Sequence, residues 1–145
     1  MAAGSTNNLS IAGSMGNGMN DEVRTIVGAA LEVHAQLGPG YMESVYQEAL
    51  AMEFGIRGIT FQREVHVPVF YKGMPLTNWF RADFVCGATV VELKAVNALT
   101  AKDDVQVRSY LKAIGLQHGL LFNFGQARLQ FKRLLMEQLV GMQRD

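Results

Sequence analysis

The first part of the sequence carries apolar residues at the three- and four-residue steps that are typical of amphipathic helices. This spacing predicts a helix that starts near Asn20 and ends at the Gly-Pro-Gly segment of residues 38–40. The same spacing returns over about residues 42–54 and predicts a second helix. Each helix has one apolar stripe, so we expect both to bury that stripe against another layer of the domain.

The hydrophobic period changes to two in the middle of the chain. Apolar and polar residues alternate over 61–71, which predicts a strand followed by a turn at 72–75. Two further strands are predicted at 76–85 and 89–95. Residues 119–124 (GLLFNF) form a short apolar run, which favours a central strand covered on both faces.

Two more helices complete the predicted elements. Thr100 and Asp103 resemble a capping box that opens a helix ending near residue 114. A last amphipathic helix is predicted over about 127–140, with Leu134, Leu135 and Leu139 on its apolar side. The predicted order is α-α-β-β-β-α-β-α, an α/β fold with a mixed central sheet of about four strands flanked by helices.

Composition narrows the class of protein. Apolar residues make up 49% of the 145, enough for a core at this length, and no run of about eighteen apolar residues predicts a membrane span. Residues 1–19 lack charge and periodicity, so we expect a flexible leader before one domain at 20–145. The single cysteine, Cys86, and the absence of a secretory signal favour a cytoplasmic protein.

Charge adds a constraint on possible partners. Thirteen basic residues balance thirteen acidic ones, so the formal net charge is zero. This balance argues against a protein that coats nucleic acid by charge alone, because phosphate binding of that kind needs a strongly basic surface. It is compatible with basic residues that cluster on one face, or with a bound metal ion that adds local positive charge.

Three charged residues stand out in the otherwise apolar second and third strands. Glu92 and Lys94 share one face of their strand, and the tight turn after residue 85 brings Asp83 beside Glu92. Strict alternation directs Asp83 away from a face shared by Phe80, Ala82 and Phe84. Two adjacent carboxylates are costly to bury, and a hard cation such as Mg²⁺ or Mn²⁺ would offset that cost. The alternative is an ordinary Glu–Lys pair on a solvated strand.

The spacing of these residues resembles a known signature. Asp83-x8-Glu92-x-Lys94 is similar to the motif of the PD-(D/E)xK nuclease superfamily, with Ala82 where that motif usually has proline. On the following helix, Gln106 and Tyr110 lie four residues apart and share a face. They resemble the Q-x-x-x-Y element of RecB-type exonucleases, whose glutamine and tyrosine line the active site.

A second resemblance lies near the N-terminus. Gly40, Glu43 and Tyr46 match the signature of the bacterial GxxExxY family, which is assigned to the same superfamily, and the similarity extends over 21–140. Glu43 stands in the first turn of its helix, where an acid also stabilises the helix dipole. In related nucleases an acid from this helix can reach the metal site.

Together the resemblances imply a single restriction-endonuclease-like core that hydrolyses phosphodiester bonds in nucleic acid with Mg²⁺ or Mn²⁺. The substrate implied is DNA rather than RNA, and the RecB-like helix favours exonuclease or end-processing action. Lys94 is expected to position a water, and the helix pair to orient Lys94 or the phosphate. The implied metal ligands are Glu43, Asp83, Glu92 and the carbonyl oxygen of Leu93, and the implied catalytic residues are Asp83, Glu92, Lys94, Gln106 and Tyr110.

Two other functions are compatible with the sequence. The first is a binding or assembly module that keeps the nuclease fold without activity, which the zero net charge and small size favour. In that case the charged residues form a stabilising polar cluster, and the partner is a second copy or another protein. The second is a phosphoesterase that acts on a nucleotide or another small molecule.

Overall fold

The computed structural model describes residues 20–136. One five-stranded sheet, with its strands side by side in chain order, is packed against three helices. The elements are α1 (Asp21–Leu37), α2 (Glu43–Arg57), β1 (Gln62–Tyr71), β2 (Met74–Cys86), β3 (Thr89–Lys94), α3 (Ala101–Ile114), β4 (His118–Asn123) and β5 (Gln130–Leu135).

The predicted α/β fold class and the order of the first seven elements are confirmed. The helix predicted over 127–140 is wrong for residues 130–135, which form β5 antiparallel to β4, so the sheet has five strands. The residues of β4 are nearly all buried, and its outer edge needs a backbone partner. Phe131 packs on the face of the sheet that α1 and α2 cover, and Leu134 packs on the opposite face beneath α3, an alternation typical of a strand. The leader at 1–19 and residues 137–145 lie outside the described residues.

The sheet is mixed, as predicted. Strands β1, β2 and β3 form two successive antiparallel hairpins, and β3 pairs in parallel with β4 through the α3 crossover. Helix α3 approaches β4 closely at Gly119, where an added Cβ would lie 2.7 Å from the Val107 side chain. No helix within residues 20–136 is long and apolar enough to cross a membrane.

Two hydrophobic cores lie on opposite faces of the sheet. The first is formed by α1 and α2 with one face of β2, β3 and β4, and it includes Phe54, Phe84 and Phe122. The second lies beneath α3 and includes Val90 and Leu121. Because both faces of β3 and β4 are covered, all of their residues except Lys94 and His118 are buried.

Helix α1 is fastened to the turn between β2 and β3. The carboxylate of Glu22 accepts hydrogen bonds from the Thr89 hydroxyl at 2.7 Å and from the Ala88 amide at 3.3 Å. Gly87 has a φ of 56°, and a Cβ there would lie 2.1 Å from that carboxylate. A glycine is therefore required in the turn, and the anchored turn holds the hairpin that carries Asp83 and Glu92.

Strand β2 changes face at Asp83. Ala82 packs in the core beneath α3, whereas Phe84 packs in the core formed by α1 and α2. The prediction that both lie on one face is therefore wrong. Opposite this point, Glu64 has a φ of 53°, and the β1–β2 ladder has no pair between Arg63↔Phe84 and Val65↔Ala82. The irregularity turns Asp83 out of strict alternation and toward β3.

Candidate active site

The backbone ladder between β2 and β3 ends where the acidic residues begin. Its last pair is Phe84↔Val91, and beyond it carboxylates replace carbonyls as acceptors. The Leu93 amide donates to Asp83 Oδ2 at 2.8 Å, and the Asp83 amide donates to Glu92 Oε1 at 3.3 Å. These reciprocal bonds spread the two strands, and Asp83 and Glu92 lie side by side between them. We call this opening between β2 and β3, which Asp83 and Glu92 line, the fork.

Glu92 is buried at the base of the fork, 5% exposed. Burial raises the pKa of Glu92 well above its usual range, and the neighbouring Asp83 charge raises it further, while the Asp83 amide and Lys94 act in the opposite direction. Lys94 Nζ lies 4.0 Å from Glu92 Oε2. The protein's own cation therefore does not fully offset the cost of two adjacent carboxylates.

Helix α2 brings Glu43 to the rim of this fork. Glu43 is the first residue of α2 and lines a pocket of about 300 Å³ together with Gln47, Arg81 and Asp83. Partial burial raises the pKa of Glu43, and the charge of Asp83 raises it further, while Lys94 lowers it. The third predicted carboxylate is thus in the electrostatic field of Asp83 and borders the same pocket.

The glycine and tyrosine of the GxxExxY pattern shape the loop before α2. Gly40 has a φ of 118°, a conformation that only glycine adopts readily. The buried Tyr46 hydroxyl donates to the Gly38 carbonyl and accepts from the Tyr41 amide at 3.2 Å. Its ring stacks on Phe124 with centroids 4.6 Å apart. The loop is therefore tied to the core beside Glu43.

Helix α3 holds the lysine of the site. Gln106 Oε1 accepts a hydrogen bond from Lys94 Nζ at 2.7 Å, and Asp103 Oδ1 lies 3.8 Å from the same atom. Tyr110 is buried one turn further on, where burial raises the pKa of its hydroxyl and the charge of Glu92 adds to that shift. Lys94 is thus held in one position, and the roles assigned to Gln106 and Tyr110 remain predictions.

Two contributors escaped the sequence reasoning. Gln47 is buried, donates from Nε2 to Asp83 Oδ1 at 2.7 Å, and accepts from Arg63 Nε at 2.8 Å. It lies four residues after Glu43, so the helical period could have placed it on the same face. The sequence pattern predicts Asp103 only as part of a helix cap, a role it does fill by accepting from the Thr100 amide at 2.8 Å.

The donors suit a hard divalent cation. Within residues 20–136 no three His, Cys, Asp or Glu side chains are close enough to hold an ion by themselves. The candidate set therefore combines the Asp83 and Glu92 carboxylates with a main-chain oxygen. In a strand the N–H and C=O of one residue point the same way, so the Leu93 carbonyl faces the fork, as its amide does. Such all-oxygen sites bind Mg²⁺ or Mn²⁺, with water filling other positions.

Comparisons with known proteins identify the family of the chain and a similar fold. The family model described as the PD-(D/E)XK nuclease superfamily matches residues 20–134. No protein of curated function matches the sequence significantly. The crystal structure of SSO0001 has a similar fold, with a TM-score of 0.53, 16% sequence identity and coverage of 70% of this chain. This chain spans 55% of that structure, and a likeness at this identity concerns the fold alone.

Proposed function

Because the chain belongs to the PD-(D/E)XK nuclease superfamily, we propose that the fork between β2 and β3 hydrolyses phosphodiester bonds of nucleic acid, with DNA as the substrate. The observation that carries this proposal is the reciprocal hydrogen bonding of Asp83 and Glu92, which places two carboxylates together within reach of the Lys94 ammonium. A purely structural Glu–Lys pair would not need a second acid beside the buried Glu92.

The residues of the fork have distinct tasks in this proposal. Asp83, Glu92 and the Leu93 carbonyl oxygen would hold Mg²⁺ or Mn²⁺, with Glu43 completing or orienting the set. The ion, when bound, stabilises negative charge on the phosphate oxygens. Lys94 positions the attacking water and offers positive charge to the phosphate.

The neighbouring side chains orient these groups. Gln106 fixes the Lys94 ammonium by the hydrogen bond between them, and Tyr110 lies one turn further along the same face of α3. Gln47 of α2 holds the Asp83 carboxylate by a hydrogen bond, and Arg63 of β1 in turn holds the Gln47 side chain. The Gln106–Tyr110 element favours exonuclease or end-processing action. We place the protein in the cytoplasm, in keeping with its lone, buried thiol.

The test compares the cleavage rates of variants in the fork with that of a control variant at an exposed lysine. Purified protein is incubated with linear duplex, circular and single-stranded DNA in Mg²⁺, in Mn²⁺ and in EDTA. Lys94→Ala and Asp83→Asn are expected to lose about 100-fold or more in cleavage rate, because the first removes positive charge offered to the phosphate and the second removes a charged ligand of the ion. Lys102→Ala removes an exposed lysine of α3 and should cleave like the wild type. Equal cleavage by all four proteins would exclude this site.

The zero net charge favours a second candidate, a module that keeps the fold but binds a second copy or another protein without catalysis. In that case the fork is a polar cluster with no ion. Calorimetric titration of the wild type with Mn²⁺ separates the two candidates, because a silent titration together with absent cleavage supports the module. Heat of binding that Asp83→Asn abolishes supports the nuclease.

A further inference from the structure

The β1–β2 hairpin extends far beyond the strand beside it. Strand β3 pairs only with residues 84–86 of β2, whereas β1 and β2 remain paired out to Tyr71↔Met74. One side of this extension packs beneath α3 through Val67 and Ala82. The opposite side has no helix over it within the described residues, and its exposed members are large.

We define the hairpin face as His66, Pro68, Trp79 and Arg81. The cross-strand pairs His66↔Arg81 and Pro68↔Trp79 put all four on the side away from α3. Trp79 is 49% exposed, and its ring lies against that of His66 with centroids 4.3 Å apart. The histidine thus supports the indole from one side and leaves the rest of its surface open to solvent.

This face is continuous with the catalytic pocket. Arg81 is exposed and lines the pocket together with Glu43 and Asp83. Trp79 lies four strand residues from Asp83, which corresponds to about 13 Å along the strand. A polymer whose phosphate sits in the fork would therefore meet Arg81 and then Trp79 as it runs outward.

The charge of the hairpin differs from that of the whole molecule. Residues 62–82 contain three basic residues, Arg63, Lys72 and Arg81, and one acidic residue, Glu64, whereas the complete chain is neutral. The net positive charge of this segment complements a phosphate backbone. An exposed aromatic ring beside an arginine is the usual arrangement for stacking one base and pairing with the adjacent phosphate.

From this arrangement we propose that the hairpin face binds single-stranded nucleic acid, with one base stacked on Trp79 and Arg81 against the phosphate nearest the fork. The inference rests on the proposed nuclease function and names its substrate class as unpaired strands or unpaired ends. Bases of an intact duplex are already stacked on one another, so they cannot lie on the indole. The face therefore discriminates against continuous duplex.

Trp79 is the only tryptophan of the chain, so its fluorescence reports directly on stacking. The wild-type protein is titrated in EDTA with an oligothymidylate of 20 nucleotides and with a blunt duplex of equal length. We expect quenching of tryptophan emission by the single strand and little by the duplex. Equal quenching by both, or by neither, would overturn the inference.

Affinities measured by fluorescence anisotropy of a labelled oligothymidylate complete the test. Trp79→Ala should weaken binding by roughly 5- to 100-fold, the range typical for loss of one stacked base, and Trp79→Phe should recover most of it. Leu76→Ala, an exposed aliphatic residue of the same hairpin, is the matched control. Arg81→Gln should lower the dependence of affinity on salt by about one phosphate contact. Unchanged affinity in Trp79→Ala contradicts the stacking site.

The outcome is separable from that of the nuclease proposal. Quenching and tight binding without cleavage in Mg²⁺ or Mn²⁺ would support the hairpin face and reject the nuclease. Cleavage that needs Lys94 but is the same in Trp79→Ala and wild type on single strands would support the nuclease and reject the hairpin face.

Discussion

Glu92 is a buried acid whose carboxylate lies beside Asp83 and 4.0 Å from the Lys94 ammonium. Burial is the largest cause of its raised pKa, and the Asp83 charge is the next. A residue placed only for stability would not be expected to carry such a cost. Residues kept for function often do, so this side chain should lower the stability of the metal-free protein.

Replacing Glu92 by glutamine tests this directly. Because the pKa of Glu92 is raised in the folded state, its favourable contribution is complete below its ordinary value of 4.5 and is lost as pH rises toward the folded value. Glu92→Gln keeps an acceptor for the Asp83 amide and removes the charge. In EDTA at pH 8 we expect it to raise the free energy of unfolding by about 1–3 kcal/mol, with a smaller gain at pH 5. Urea unfolding measures both. A loss of stability at pH 8 would instead favour a structural polar cluster.

Tyr46 acts on the site through the loop before α2. Tyr46→Phe keeps the stacking on Phe124 and removes the hydroxyl that bonds Gly38 and Tyr41. Leaving these backbone groups without a partner should cost about 1–2 kcal/mol in unfolding free energy. Because the same loop presents Glu43, we expect DNA cleavage to fall roughly tenfold.

The control for this substitution is Tyr41→Phe, which alters a tyrosine that is half exposed. Cleavage rates and urea unfolding are measured for both variants. A Tyr46→Phe protein that loses stability but cleaves at the wild-type rate would show that the loop does not set the position of Glu43.

Among the secondary-structure elements, the sequence pattern predicted those whose formation depends on local interactions. Both N-terminal helices, the β2–β3 hairpin and the capping box of α3 follow from periodicity and caps. Strand β5 was not predicted, because the apolar spacing of residues 130–135 is also compatible with a helix. Only backbone pairing with the open edge of β4 favours the strand. Tertiary context overrides weak propensity in such segments.

The face change at Asp83 escaped prediction for a related reason. It depends on the left-handed Glu64 across the β1–β2 ladder, nineteen positions away in sequence, which no period-two pattern reveals. Gln47 reaches Asp83 across thirty-six positions, so its part in the site is likewise a product of the fold. Residue types and spacing could identify the acids, the lysine and Gln106, but not the hydrogen bond by which Gln47 holds Asp83.

The packing of α3 on β4 can be probed with two glycines. Gly119→Ala would bring a Cβ within 2.7 Å of Val107 and 3.1 Å of Leu111, so α3 must move outward. We expect a loss of about 1–3 kcal/mol in urea unfolding. Cleavage should fall too, because α3 carries Gln106 toward Lys94.

Gly55→Ala is the matched control. Gly55 lies in α2, and no atom would lie within 4 Å of its added Cβ. This variant should gain about 0.5–1 kcal/mol, since alanine loses less backbone entropy in a helix. Similar effects of the two substitutions would contradict the close contact between α3 and β4.

The fold of the whole molecule depends on the packing of α1 over the sheet. Helix α1 contributes much of the first core, and its anchor is Glu22 at the turn between β2 and β3. That turn closes one end of the β2–β3 hairpin, and the fork that contains Asp83 and Glu92 lies at the other end. Cys86 lies directly under this anchor, 1% exposed, so its thiol is accessible only when α1 separates from the sheet.

The labelling rate of the single cysteine therefore reports how often α1 separates from the sheet. Burial raises the pKa of Cys86 to about 12, and the charge of Glu22 adds to the effect, so at pH 8 the thiol is protonated as well as covered. Labelling of the native protein by a disulfide reagent should be slow and should accelerate in urea. Glu22→Gln weakens two hydrogen bonds to the turn and should speed native labelling about five- to tenfold, while Asp21→Asn, an exposed acid in the same helical turn, should not. If the wild type reacts at the rate of an unfolded thiol, the closure of α1 over the hairpin is wrong, and with it the support for the fork.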